Sequence, residues 1–143
     1  MRICLMSNNV RQARLRWTGE GLAFRGGPEG ATEIGVDSTG EIGPAPMHLL
    51  LMSVGACMAI DVLMILEKGR VPIEDLEIET IGVRADDHPK RYESIELIYR
   101  ISGPGEADQE KIDRAIELSK DKYCSVLHTL DPEIDLSISS QLI

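Results

Sequence analysis

From Leu49 to Leu66, eighteen consecutive positions carry almost nothing but apolar side chains. Such a segment must be withdrawn from water, and it lies at the lower edge of the length that crosses a bilayer. Asp61 stands inside it, and an ionised carboxylate is costly in hydrocarbon. Strand-like segments flank it on both sides, so a membrane span is the weaker reading. The stronger one is a helix of about six turns, Met47 to Lys68, covered on nearly every side by a sheet, by other helices and by a second subunit. Gly69, with Pro72 beyond it, provides the usual stop.

The rest of the chain reads mainly as strands. Residues Gln12 to Arg25 hold β-type residues interrupted by Thr18-Gly-Glu-Gly21, a hairpin signal, and Thr32 to Val36 form a third short strand. A loop with two Pro and two Gly, Gly40 to Pro46, feeds the apolar helix. Beyond it, Ile73 to Ala85 and Arg91 to Ile101 alternate as two long antiparallel strands around the turn Asp86-Asp-His-Pro-Lys90. Asp108 to Lys120 has helical spacing through Ile112, Ala115, Ile116 and Leu118, and Ile134 to Leu142 is a last strand. The order β-β-β-α-β-β-α-β predicts an α+β fold, an antiparallel sheet with helices on one side.

At 143 residues the chain is the size of one domain, expected to span 1–143 with 1–11 as a flexible N-terminal segment. An all-round apolar helix needs more cover than one small sheet gives, which predicts a homodimer. The net charge of −9 and the pI near 4.8 disfavour nucleic acid and anionic membrane surfaces as partners. The N-terminus lacks a signal-peptide pattern, so the expected location is cytoplasmic. Three cysteines there do not read as a disulfide scaffold.

Cys57 lies in Gly55-Ala-Cys-Met-Ala, where small neighbours leave room beside the sulfur. Its alternative is an inert core thiol. Cys124 precedes Ser125-Val-Leu-His128, a short second helix whose N-terminus would lower the thiol's pKa. Cys4 has no informative context. Asp61, one turn after Cys57, is a base, an orienting group, or a carboxylate tied to a backbone amide or an Arg. Cys57, Cys124, His48 and His128 could surround a tetrahedral zinc, but the Cys-x3-His and His-x8-Cys spacings are not a tight zinc pattern, and the reading assigns no metal. His88 is a turn residue. No glycine-rich phosphate loop, Ser-His-Asp set or paired carboxylates stand out, so no cofactor is called for.

Four segments together resemble the OsmC/Ohr family, the osmotically inducible and organic-hydroperoxide-resistance proteins, in its OsmC-like branch. They are Pro44-Ala-Pro-Met-His-Leu-Leu-Leu-Met-Ser-Val-Gly-Ala-Cys-Met-Ala-Ile-Asp-Val62, Glu67-Lys-Gly-Arg-Val-Pro72, the His88-Pro89 hairpin and Leu118-Ser-Lys-Asp-Lys-Tyr-Cys-Ser-Val126. The resemblance implies an intertwined homodimer with long central helices wrapped by antiparallel sheet. It also implies an antioxidant thiol peroxidase, active in the oxidative-stress response on organic or inorganic hydroperoxides. By carry-over Cys57 is the peroxidatic thiolate that becomes a sulfenic acid, Cys124 the resolving thiol, and an external dithiol the reductant.

One departure stands out. Family members usually place a carboxylate nine or ten residues before the first cysteine, to hold an arginine that lowers its pKa, and this chain has Met47 and His48 there. Arg16 and Arg25 on the first hairpin, or His48 itself, remain as candidate partners. The alternative class is therefore a non-catalytic dimer of the same fold that binds an apolar ligand or a metal at its interface.

Overall fold

The computed structural model of the chain describes residues 9–143. Cys4 lies outside the described residues. The chain divides into two compact units, residues up to Leu49 and Leu50–Ile143, described in turn.

The first unit is a three-stranded antiparallel sheet, β1 (Arg14–Trp17), β2 (Ala23–Gly27) and β3 (Ile34–Asp37), in sequential order. Arg16 stands opposite Arg25, and Phe24 opposite Val36. The sheet ends in a side-chain lock at Asp37. Its carboxylate accepts hydrogen bonds from the Thr39 amide and hydroxyl, both at 2.9 Å, and from the Ile42 amide at 3.3 Å. These donors, the Thr39 amide foremost, hold the Asp37 carboxyl below its usual range.

The second unit holds a sheet of β4 (Asp75–Arg84), β5 (Tyr92–Ser102) and β6 (Asp135–Leu142), with β5 in the middle. β4 and β5 form the expected antiparallel hairpin, whereas β6 runs parallel to β5. That departs from the all-antiparallel expectation. The connection from β5 to β6 carries helices α2 (Gln109–Leu118) and α3 (Ser125–Thr129), long enough to return the chain to the end of the sheet where β5 began.

Helix α1 runs from Pro46 to Lys68, and by length and composition alone it is apolar enough to cross a membrane. In this fold its Val54, Met58, Val62 and Leu66, at four-residue spacing, are at most 1% exposed. They face the same layer as Ile95, Leu97, Tyr99 and Ile101 of β5, which alternate inward and are equally buried. Each such aliphatic side chain contributes roughly 1.5–3 kcal/mol by leaving water. Gly55 lets the helix approach β4, since a Cβ there would lie 2.9 Å from Thr80 Cγ2. α2 covers the same sheet face at β6, where Gln109 Nε2 donates to Ser140 Oγ at 3.1 Å. Both helices therefore lie on one side. On the other, Arg100 bridges Glu77 and Glu79 at 3.0 and 2.9 Å.

The stop of α1 differs from the expected glycine signal. The Val71 amide bonds to the Leu66 carbonyl and the Arg70 amide to the Glu67 carbonyl, the paired bonds of a Schellman cap. The left-handed residue is Arg70, with φ 56°, and Gly69 precedes it.

A second line of α1 is left uncovered by the described residues. Met52, Ile60, Leu63 and Met64 are all exposed, on the helix side away from the buried row.

Candidate functional site

Helix α1 presents Cys57 and, one turn on, Asp61; the segment after α2 presents Cys124. The two Sγ atoms and a carboxylate oxygen of Asp61 all lie within 4.8 Å of one another. Cys57 is half-buried and Cys124 fully buried, and neither is in a disulfide.

The position of Cys124 is set by an unusual turn. α2 does not run smoothly to Lys120 as its spacing suggested, but widens into a single π turn, Ser119–Tyr123, closed by the Cys124 amide donating to the Ser119 carbonyl at 2.8 Å. Cys124 then leaves the helix with extended backbone and caps α3, its Sγ accepting from the Leu127 amide at 3.3 Å. Ser119 is itself fully buried, and its hydroxyl donates to Asp61 Oδ2 at 2.8 Å. Asp61 is thus tied to a serine hydroxyl, not to the backbone amide or arginine expected for it.

The expectation that the α3 N-terminus would lower the Cys124 pKa is reversed. Burial pushes this thiol up to about 11, and the Leu127 amide opposes the shift only in part. A helix of five residues has little dipole to offer. A hydrogen bond with Cys57 and the charges of Cys57 and Asp61 raise the pKa further.

Tyr99 of β5 was legible only as one residue of an alternating strand. Its side chain is fully buried, and among the described residues its Oη finds no hydrogen-bond partner. Burial, then Cys124, Asp61 and Cys57, push the phenol well above its ordinary pKa, which places its ring in the electrostatic neighbourhood of all three.

His128 and His88 do not join the group. Both ring nitrogens of His128 face backbone carbonyls, those of Cys124 at 2.8 Å and Asp121 at 3.2 Å. His88 is exposed in the β4–β5 turn. His48, Arg16 and Arg25 belong to the first unit, where the two arginines are paired across β1 and β2 and are exposed. Ser119 and Tyr99 are the residues that sequence reasoning missed. The available signals were a serine continuing the buried α2 row of Ile112 and Ala115, and a polar tip on the inward face of a central strand.

The family profile described as OsmC-like protein matches residues 38–139, which include both cysteines. Protein YhfA of Escherichia coli strain K12 is 35% identical over 133 residues, 92% of this chain and 98% of its own length. The crystal structure of a hypothetical protein from Aquifex aeolicus VF5 superposes with a TM-score of 0.81 at 36% identity, covering 94% of this chain and 96% of the other. An organic hydroperoxide resistance protein from Elizabethkingia anophelis superposes with a TM-score of 0.65 at 13% identity, over 97% of this chain and all of the other. That last likeness is one of fold.

Proposed function

This chain belongs to the OsmC-like protein family, and on that premise we propose that it is a thiol-dependent peroxidase in which Cys57 attacks a hydroperoxide and Cys124 resolves the product. The observation that carries the reading is the pairing of a half-buried thiol with a fully buried one inside 4.8 Å. Cys57 is the more accessible sulfur, and Cys124 is held protonated by burial. The roles follow from that asymmetry.

In the first step the Cys57 thiolate attacks the terminal peroxide oxygen. The O–O bond breaks, the alkoxide leaves and takes a proton, and Cys57 becomes a sulfenic acid. Cys124 sulfur then displaces hydroxide from Cys57 sulfur, its proton leaving with that hydroxide as water, and a disulfide forms. An external dithiol returns both cysteines to thiols and is itself oxidised to a disulfide. The aliphatic side chains around the pair favour an organic hydroperoxide, and the setting that keeps the pair reduced between turnovers is the cytoplasm.

The same reading takes the protein as a homodimer. The uncovered Met52, Ile60, Leu63 and Met64 line supplies an apolar surface suited to a second copy of the chain.

Steady-state consumption of cumene hydroperoxide with a small dithiol tests the reaction. Cys57→Ser abolishes turnover, and Cys124→Ser slows it, because the dithiol must then reduce the Cys57 sulfenic acid directly and part of it is overoxidised to sulfinic acid. Undiminished turnover in Cys57→Ser would overturn the assignment.

A further inference from the structure

We propose that the reduced site also binds a thiophilic divalent cation, Zn²⁺, through Cys57 Sγ, Cys124 Sγ and the Asp61 carboxylate. Zinc takes thiolate sulfur at about 2.3 Å and carboxylate oxygen at about 2.0–2.2 Å, which in a tetrahedron puts neighbouring ligand atoms roughly 3.5 Å apart. Here the three atoms already lie within 4.8 Å. Small side-chain rotations close the difference.

The surroundings favour the same conclusion. Zinc ligands are normally held by a second hydrogen bond from the protein, and two of these three have one. Ser119 Oγ fixes the Asp61 carboxylate at 2.8 Å, and the Leu127 amide donates to Cys124 Sγ at 3.3 Å. Tyr99 Oη, fully buried and without a partner among the described residues, is an independent sign that the group is incomplete as it stands. A buried hydroxyl calls for an acceptor, and a water or hydroxide brought in by the cation supplies one. Two thiolates and one carboxylate carry three negative charges in a half-buried space, which a divalent cation neutralises in large part. Three protein ligands leave a fourth position for water or an incoming anion. The set differs from the four-residue one that spacing suggested, because His128 is turned to backbone carbonyls and Asp61 takes the third place.

Binding is an exchange without redox change. Two S–H bonds break, two Zn–S bonds form and two protons pass to solvent, while Asp61 coordinates through its carboxylate oxygen. The disulfide uses the same two sulfurs, so metal and disulfide exclude one another. Resting on the peroxidase reading, it follows that Zn²⁺ blocks turnover and shields the reduced pair from oxidation. Metal binding itself does not depend on that reading.

The test is an anaerobic titration of the reduced full-length chain with Zn²⁺ against a chromophoric chelator, with Co²⁺ as an optical reporter. The expected result is one Zn²⁺ per chain, release of about two protons, protection of both thiols from alkylation, and a thiolate-to-cobalt charge-transfer band. Cys57→Ser and Cys124→Ser each diminish that band and weaken Zn²⁺ binding. Asp61→Asn, which can still accept from Ser119, weakens binding with the helical circular dichroism unchanged, and Ser119→Ala weakens it about tenfold. No Zn²⁺ uptake by the reduced chain, or uptake unchanged in folded Cys57→Ser and Asp61→Asn, overturns the proposal. Hydroperoxide turnover measured separately with chelator present distinguishes failure of the metal site from failure of the peroxidase reading.

Discussion

The Ser119 hydroxyl donates to the Asp61 carboxylate at 2.8 Å, across 58 positions of sequence. The same serine's carbonyl receives the Cys124 amide at 2.8 Å. One buried residue therefore fastens the cysteine-bearing helix α1 to the turn that delivers the second cysteine. Ser119→Ala removes the side-chain half of this clamp. It costs about 1–2 kcal/mol, the scale of a hydrogen bond to a charged, partly buried group, and it slows closure of any Cys57–Cys124 bridge. Chemical denaturation and stopped-flow thiol loss measure the two effects. An unchanged unfolding midpoint would contradict the clamp.

Cys124, with its thiol raised to about 11 by burial, is protonated in the folded protein at neutral pH. Iodoacetamide at a pH of about 8 is therefore expected to label Cys57 first and Cys124 only after unfolding, as read by peptide mass spectrometry. The sign of the linked stability follows from the raised value. Between the unfolded thiol pKa, about 8.5, and about 11, the native state holds a proton that the unfolded state has lost. This contribution is fully present below the unfolded value and disappears as pH rises through the folded one. The drop in thermal midpoint across that window is predicted to be smaller in Cys124→Ala than in the parent chain. Equal drops would show that Cys124 is not the group responsible.

Tyr99 buries a hydroxyl with no partner among the described residues. Tyr99→Phe keeps the ring and deletes the orphaned group, and it is predicted to leave the metal-free, reduced protein as stable as before or more stable, by about 1–3 kcal/mol. Urea denaturation decides it. A loss of stability would mean that the hydroxyl is already satisfied.

Ile60 lies in the uncovered line of α1, 56% exposed. Ile60→Asp puts a charge in the middle of the proposed subunit contact, and sedimentation velocity should then report a monomer where the parent chain is a dimer. Identical sedimentation of both forms would place the contact elsewhere or remove it.

Much of this arrangement was legible in the sequence, for definite reasons. The apolar run with Asp61 inside it specified a buried helix, and the alternation of Ile95, Leu97, Tyr99 and Ile101 specified a central strand. Residue patterns repeat along an element whichever partner it meets, and this limits what they reveal. Strand β6 alternates equally well beside β5 in either direction, so its parallel pairing was invisible. The serine that holds Asp61 is chosen by the π turn, which the spacing of α2 does not announce. Arg70 takes the left-handed cap position because the Schellman bonds close there, although Gly69 is the residue a reader would choose. The Cys124 thiol was expected to be acidic from its place before a helix, but burial outweighs the short helix, and burial is a tertiary property.

The most direct test of the two-cysteine cycle is to add cumene hydroperoxide to the reduced, metal-free chain, count the remaining thiols, and map crosslinks by mass spectrometry. The account predicts rapid loss of two thiols and a Cys57–Cys124 disulfide, absent in Cys57→Ser and in Cys124→Ser. Thiols that stay unreacted, or a single cysteine slowly oxidised to sulfinic acid without a crosslink, would contradict it.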